Sequence, residues 1–127
     1  MNKSDLYLGY LRKEGYTAAK DQDGDIVFKH KDTTYLMFAE ENDRDYFSFA
    51  LPRFWKIDEK ERFKVLKAID EVNVGIKVVK LLTVKDAVWA KVDILLSPIE
   101  NFPKVFPRAF RLMGSAVAQF VEKMGKP

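Results

Sequence analysis

"DQDGDIVFKH", residues 21–30, admits two readings that lead to different proteins. Asp21, Asp23 and Asp25 stand at alternate positions, as in the first half of a calcium loop. Such a loop needs glycine at its sixth position for a sharp turn and a bidentate glutamate at its twelfth. Counted from Asp21, those positions hold Ile26 and Asp32. Asp23-Gly24 is also a strong short hairpin signal, because both residue types tolerate positive φ. The flanks "TAAKD" (17–21) and "DIVFKH" (25–30) carry the β-branched and apolar residues of strands, not helices. The reading is a hairpin, and the fold follows from it.

Outward from this turn the strand pattern continues. "TYLMFAE" (34–40) and "YFSFAL" (46–51) are short and aromatic-rich, separated by polar turns, and Pro52 is placed to close the last. Before the meander, "SDLYLGYLRKEGY" reads as a short helix capped by Ser4, with Leu8 and Leu11 on one face and Gly15 at its end. After it, "DEKERFKVLKAIDEVN" restores the helical period, with Asp58 and Glu61 as a capping-box variant and Phe63, Leu66, Ile69 and Val72 as an apolar stripe. "GIKVVKLLTV" and "AVWAKVDILL" then make a hairpin around Lys85-Asp86, and Val88, Ala90, Val92, Ile94 and Leu96 give one wholly apolar face. Phe102, Phe106, Ala109, Met113, Val117, Phe120 and Met124 mark a closing helix, which Pro107 either begins or kinks. The expected fold is one α+β domain, residues 1–127, with a twisted antiparallel sheet and the order α-β-β-β-β-α-β-β-α.

Composition removes several functions. Cysteine is absent, which rules out disulfides, thiol nucleophiles and cysteine-ligated metals. His30 is the single histidine, so multi-histidine zinc sites are excluded; it ends a strand on the side of Ile26 and Phe28 and is expected to pack at the sheet edge. The six glycines form neither a dinucleotide fingerprint nor a P-loop, and the four serines lie in no nucleophile motif. The acidic run "EENDRD" (40–45), with Glu40, Asp43 and Asp45, reads as a solvated turn that Arg44 partly neutralises. No catalytic, cofactor or metal site is assigned, and a non-enzyme is expected. No apolar run approaches membrane-spanning length, and "MNKSDLYLGYL" lacks the pattern of a secretory leader, so a cytoplasmic protein is expected.

The net charge of +3 is unevenly spread, since residues 1–54 hold 8 Lys/Arg against 10 Asp/Glu. The second half is therefore modestly basic. "FKHK" (28–31), "RFWK" (53–56) and "FPRAFR" (106–111) interleave rings with cations, as single-strand nucleic-acid binders do. Their rings coincide with core positions, so nucleic acid is the second reading.

The sheet face opposite Phe28, Phe47 and Phe49 holds a surplus of apolar residues. It would carry Val27, Tyr46 and Ala50, with Val79 or Leu81, and Trp89. That is too much apolar surface for a bare face. Partial cover by the first or last helix is expected, with the remainder a groove or a dimer contact. Val27, Tyr46, Trp89 and Leu95 are the candidate partner-binding residues.

The order of elements, with "LRKEGY", "DGDIVFK", "YLMFAE", "AIDEVN", "IKVVKL", "AVWAKVDILL" and "AFRLMGSAVAQF", resembles the YbjN-like family of bacterial proteins over nearly the whole chain. That family belongs with the type III secretion chaperone-like folds. The resemblance implies a small α+β protein without catalytic residues. It also implies a homodimer that binds a protein partner or client against apolar surface, as adaptor, regulator or chaperone.

Overall fold

The computed structural model describes residues 1–125. Helix α1 (Lys3–Lys13) leads to strands β1 (Thr17–Lys20), β2 (Ile26–His30), β3 (Thr33–Phe38) and β4 (Tyr46–Lys56). Helix α2 (Arg62–Gly75), strands β5 (Val79–Val84) and β6 (Ala87–Leu95) and helix α3 (Phe102–Gly125) complete the chain. All six strands form one antiparallel sheet in the order β1-β2-β3-β4-β6-β5. The protein is α+β.

The opening stretch is a hairpin, of a longer kind than a two-residue Asp-Gly turn. Asp21 C=O accepts from Gly24 N–H at 3.2 Å, and Asp21 N–H donates to Asp25 C=O at 2.8 Å. Only Gly24 takes a left-handed φ, +86°; Asp23 does not. Two of the three carboxylates accept backbone N–H groups: Asp21 Oδ1 takes those of Asp23 (2.8 Å) and Asp25 (3.0 Å) within the turn, and Asp25 Oδ1 takes that of Ala39 (2.8 Å) beyond β3. Gly24→Val should therefore cost about 1–2 kcal/mol through backbone strain. Asp21→Asn keeps the accepting oxygen and should cost less than half of that. Urea denaturation of the two variants makes the comparison, and calcium should shift neither midpoint.

Local signals elsewhere were displaced by tertiary demands. The cap of α1 is Asn2, whose Oδ1 accepts from Asp5 N–H at 2.8 Å, while Ser4 Oγ donates to the Gly24 carbonyl. Gly15 does end α1, at φ +93°, with Gly15 N–H to Arg12 C=O (3.1 Å) and Tyr16 N–H to Leu11 C=O (2.9 Å). Asp58 caps a 3-10 turn at 59–61 that leads into α2, not α2 itself. Pro52 does not close β4. The register shifts between Leu51 and Trp55, with Arg53 at φ +49°, so the proline sits in a bulge where no ladder donor is needed. Pro107 lies inside α3 on its exposed side.

The stripe of α2 is rotated from expectation. Val65, Ala68, Ile69 and Val72 are buried, whereas Phe63 is 82% exposed and Leu66 46%. Both rows satisfy the 3.6-residue period and share Ile69 and Val72. Packing against β5 and α3 selects between them.

The core lies between the three helices and one sheet face. Tyr7 of α1 meets Phe47 and Phe102 edge-on, at 5.9 and 4.9 Å. From α3, Phe106 meets Phe49 at 5.1 Å and Phe28 at 6.0 Å. Val79 and Leu81 of β5 are buried on this same face, so neither joins the opposite one. Among the described residues, no helix crosses to that opposite face. The expected partial cover by α1 or α3 does not occur, because the apolar stripes of all three helices are consumed on one side.

Both outer strands have side chains bonded to their backbones. Asn73 Oδ1 accepts from Leu81 N–H at 2.9 Å, and its Nδ2 donates to Leu81 C=O at 3.0 Å. On β1, Arg12 Nε donates to Ala18 C=O at 3.0 Å. Ahead of β5 the chain makes a γ-turn of the rarer sense at Val78, with φ +69° and Val79 N–H to Lys77 C=O at 2.6 Å.

Candidate functional site: the open sheet face

Alternation along the strands places Val27, Tyr46, Trp89 and Leu95 together on the face that no helix covers. The register explains how. Val27 lies beside Leu36, Leu36 beside Ala50 and Ala50 beside Lys91. One row further, Phe38 pairs with Ser48 and Ser48 with Asp93; beyond it Tyr46 pairs with Leu95. Trp89 pairs with Leu82 on the far side. The four residues share a face without forming one compact patch.

Their environments differ. Leu95 is 83% exposed, while Val27, Tyr46 and Trp89 are half-buried. Leu36, Phe38 and Leu82 add half-buried apolar surface that the sequence reading did not include. Ala50 and Ser48 are buried here although no helix covers them, because small side chains on a sheet lie in the shade of larger neighbours. Trp89 Nε1–H is buried and has no hydrogen-bond partner among the described residues. An indole normally finds an acceptor for that group when it is buried.

At the centre of the face sits Asp93, a polar network the sequence reading missed. Its Oδ1 accepts from the Tyr46 hydroxyl and from Ser48 Oγ (2.8 Å), and its Oδ2 faces Lys80 Nζ at 2.7 Å. Lys91 Nζ stands 3.5 Å from Oδ1 and 5.3 Å from the Phe38 ring centroid. Desolvation by burial alone would raise the Asp93 carboxyl. The hydrogen bonds from Lys80, Tyr46 and Ser48, with the charge of Lys91, outweigh it and hold the pKa at about 2. The Tyr46 phenol is pushed up, first by burial and then by its bond to Asp93. A carboxylate so fully engaged is a poor proton acceptor near neutral pH. The network organises the surface.

A pH dependence follows. The folded pKa of Asp93 lies below the ordinary 3.8, so its contribution is complete above about pH 4 and is lost as pH falls through about 2. Nearly two pK units correspond to about 2 kcal/mol. Asp93→Asn should destabilise the protein at pH 6, and the gap from wild type should close by about that amount toward pH 2. Urea unfolding at stepped pH gives the curve.

The other sequence candidates fall elsewhere. His30 is exposed, with its ring against Tyr16 (5.6 Å) and Phe110 (5.4 Å) at the sheet edge. The acidic turn receives the ammonium of Lys3, which is wholly buried and donates to the carbonyls of Glu40 (3.1 Å), Asp43 (3.1 Å) and Tyr46 (2.6 Å). Arg44 joins Glu41 at 3.0 Å to Glu100 at 2.9 Å. In the ring-and-cation stretches, Phe28 and Phe106 are buried, and Phe54 and Trp55 pack on Phe120. Among the described residues, no three acidic or histidine side chains are grouped to hold a metal ion, and no helix is long and apolar enough to cross a membrane. Compared with family models, with curated proteins and with solved structures, the chain gives no match.

Proposed function

We propose that this protein is a non-enzymatic protein-binding module that pairs with a second copy of itself through the open sheet face. It acts in the cytoplasm as an adaptor, regulator or chaperone, with the fold relationship that its resemblance to YbjN-like proteins implies. One observation carries the reading. Val27, Leu36, Phe38, Leu82 and Trp89 remain only half-buried around the hydrogen-bonded Asp93 network, and Leu95 is 83% exposed at its rim. Large apolar side chains around satisfied polar groups suit an interface that excludes water.

Light scattering at micromolar concentration should return twice the chain mass of 14.7 kDa. Leu95→Asp should raise the dissociation constant at least about tenfold while leaving the stability of the monomer unchanged, since the residue is exposed. Trp89→Ala should weaken pairing further. A wild-type mass of 14.7 kDa at every concentration removes the dimer. Should Trp89→Ala unfold the chain, Leu95→Asp still decides the matter.

The basic second half supports nucleic-acid binding as the other reading. Steep weakening with salt would favour it, because phosphate contacts release counterions and apolar contacts do not.

A further inference from the structure

A concave surface lies away from the open sheet face, where α3 crosses the entry to β5. Its lining comes from three separated segments: Lys77 and Val78 before β5, Ile94 of β6, and Lys104, Val105, Arg108, Ala109 and Leu112 of α3. The groove encloses about 470 Å³. That lies within the range of small-ligand sites, which run from about 300 to 1,000 Å³. Ala109, small and buried, leaves room at the floor between Val105 and Leu112.

Charge gives the groove its character. Lys77, Lys104 and Arg108 stand at an apolar cleft whose lining contains no carboxylate. None of the three makes an ion pair among the described residues, although Lys20, Arg44, Arg62, Lys80, Lys91 and Lys123 all do. Val78 borders the same cleft and is the one β-branched residue held at positive φ among those described. Backbone strain of this kind persists only where the surroundings impose it, and it concentrates at binding sites.

We infer that this groove binds a small amphipathic carboxylate, with an aliphatic tail along Ile94, Val105, Ala109 and Leu112 and an anionic head among Lys77, Lys104 and Arg108. Charge complementarity selects this occupant. A neutral apolar molecule would leave three cations unpaired beside it, and a small hydrophilic anion would leave the floor uncovered. The inference does not depend on pairing through the sheet face.

The test is a titration of the full chain, ¹⁵N-labelled, with sodium octanoate, octan-1-ol and sodium acetate, followed by amide chemical shifts. Octanoate should move the resonances of residues 77–79, 94 and 104–112. It should bind at least about tenfold more tightly than octanol, the difference expected when charge-assisted contacts are gained. Acetate should shift nothing at the same concentrations. The double variant Lys104→Gln/Arg108→Gln should weaken octanoate about tenfold and leave octanol unchanged. Both side chains are exposed, so its melting temperature should match wild type. Equal affinity for octanol, an unaffected double variant, or shifts centred on the open sheet face would each overturn the assignment.

Discussion

Phe106→Ala should remove about 3–5 kcal/mol of stability, much of a total near 5–15 kcal/mol for a domain of this size. The ring is 1% exposed and lies among aromatic rings from the first helix, its exit and the sheet. It meets Tyr10 and Tyr16 from the first helix and its exit, at 6.0 and 6.2 Å, and Phe28 and Phe49 from the sheet, at 6.0 and 5.1 Å. Truncation leaves a cavity whose walls belong to α1, the loop after it, β2 and β4, and they cannot all collapse together. Phe63→Ala is the matched control. That ring is 82% exposed on α2, so its removal should change stability by less than about 0.5 kcal/mol. Equilibrium urea unfolding measures both, and similar losses would mean that α2 is rotated toward the stripe expected from its sequence.

Lys3→Met should cost about 2–4 kcal/mol, although it replaces a buried charge with an apolar chain of similar length. Burial pulls the Lys3 ammonium below the ordinary lysine range, and Glu41, Asp43 and Glu40 act to restore it. Its three N–H groups meet three carbonyls, so nothing on the head is wasted. Methionine would fill the space and leave the carbonyls of Glu40, Asp43 and Tyr46 without a donor. Lys3→Arg is the companion variant, since a planar guanidinium does not reproduce three converging bonds. Hydrogen exchange should separate this effect from that of Phe106: opening should concentrate in α1 and residues 40–46. Loss spread evenly over the chain would show that Lys3 is not a local clamp.

These variants mark where the sequence was readable and where it was not. The two-residue period identified the helix-facing rows of β2, β4 and β6, because a slip of one position would have exposed Phe28, Phe49 and Val92 together. Gly15 and Gly24 were readable because positive φ is a local requirement. The rotation of α2 was not, since its residues fit two faces and only contacts distant in sequence choose between them. Continuation of β4 past Pro52 depended on β6 tolerating a bulge. Lys3 was hidden for the same reason, its acceptors lying about forty residues downstream. The face shared by Val27, Tyr46, Trp89 and Leu95 could be read from alternation. The Asp93 network left a fainter signal, an acid two positions from Lys91 within an otherwise apolar strand. Its partners Tyr46 and Ser48 become neighbours only once β4 pairs with β6.

The amide of Asn73 presents to Leu81 one donor and one acceptor, the same pair that the backbone of an adjoining strand would present. At the opposite margin, Arg12 occupies the carbonyl of Ala18. A visiting strand at either margin must first displace a bond already made within the chain, so ladder-to-ladder addition gains less than it would at a bare edge. Face-to-face contact carries no such handicap, and it closes after two copies because each has one open face. Under the proposed pairing, the same two side chains separate finite assembly from endless growth. Removing both, with Asn73→Ala and Arg12→Ala, should turn the proposed dimer into a particle whose mass climbs with concentration.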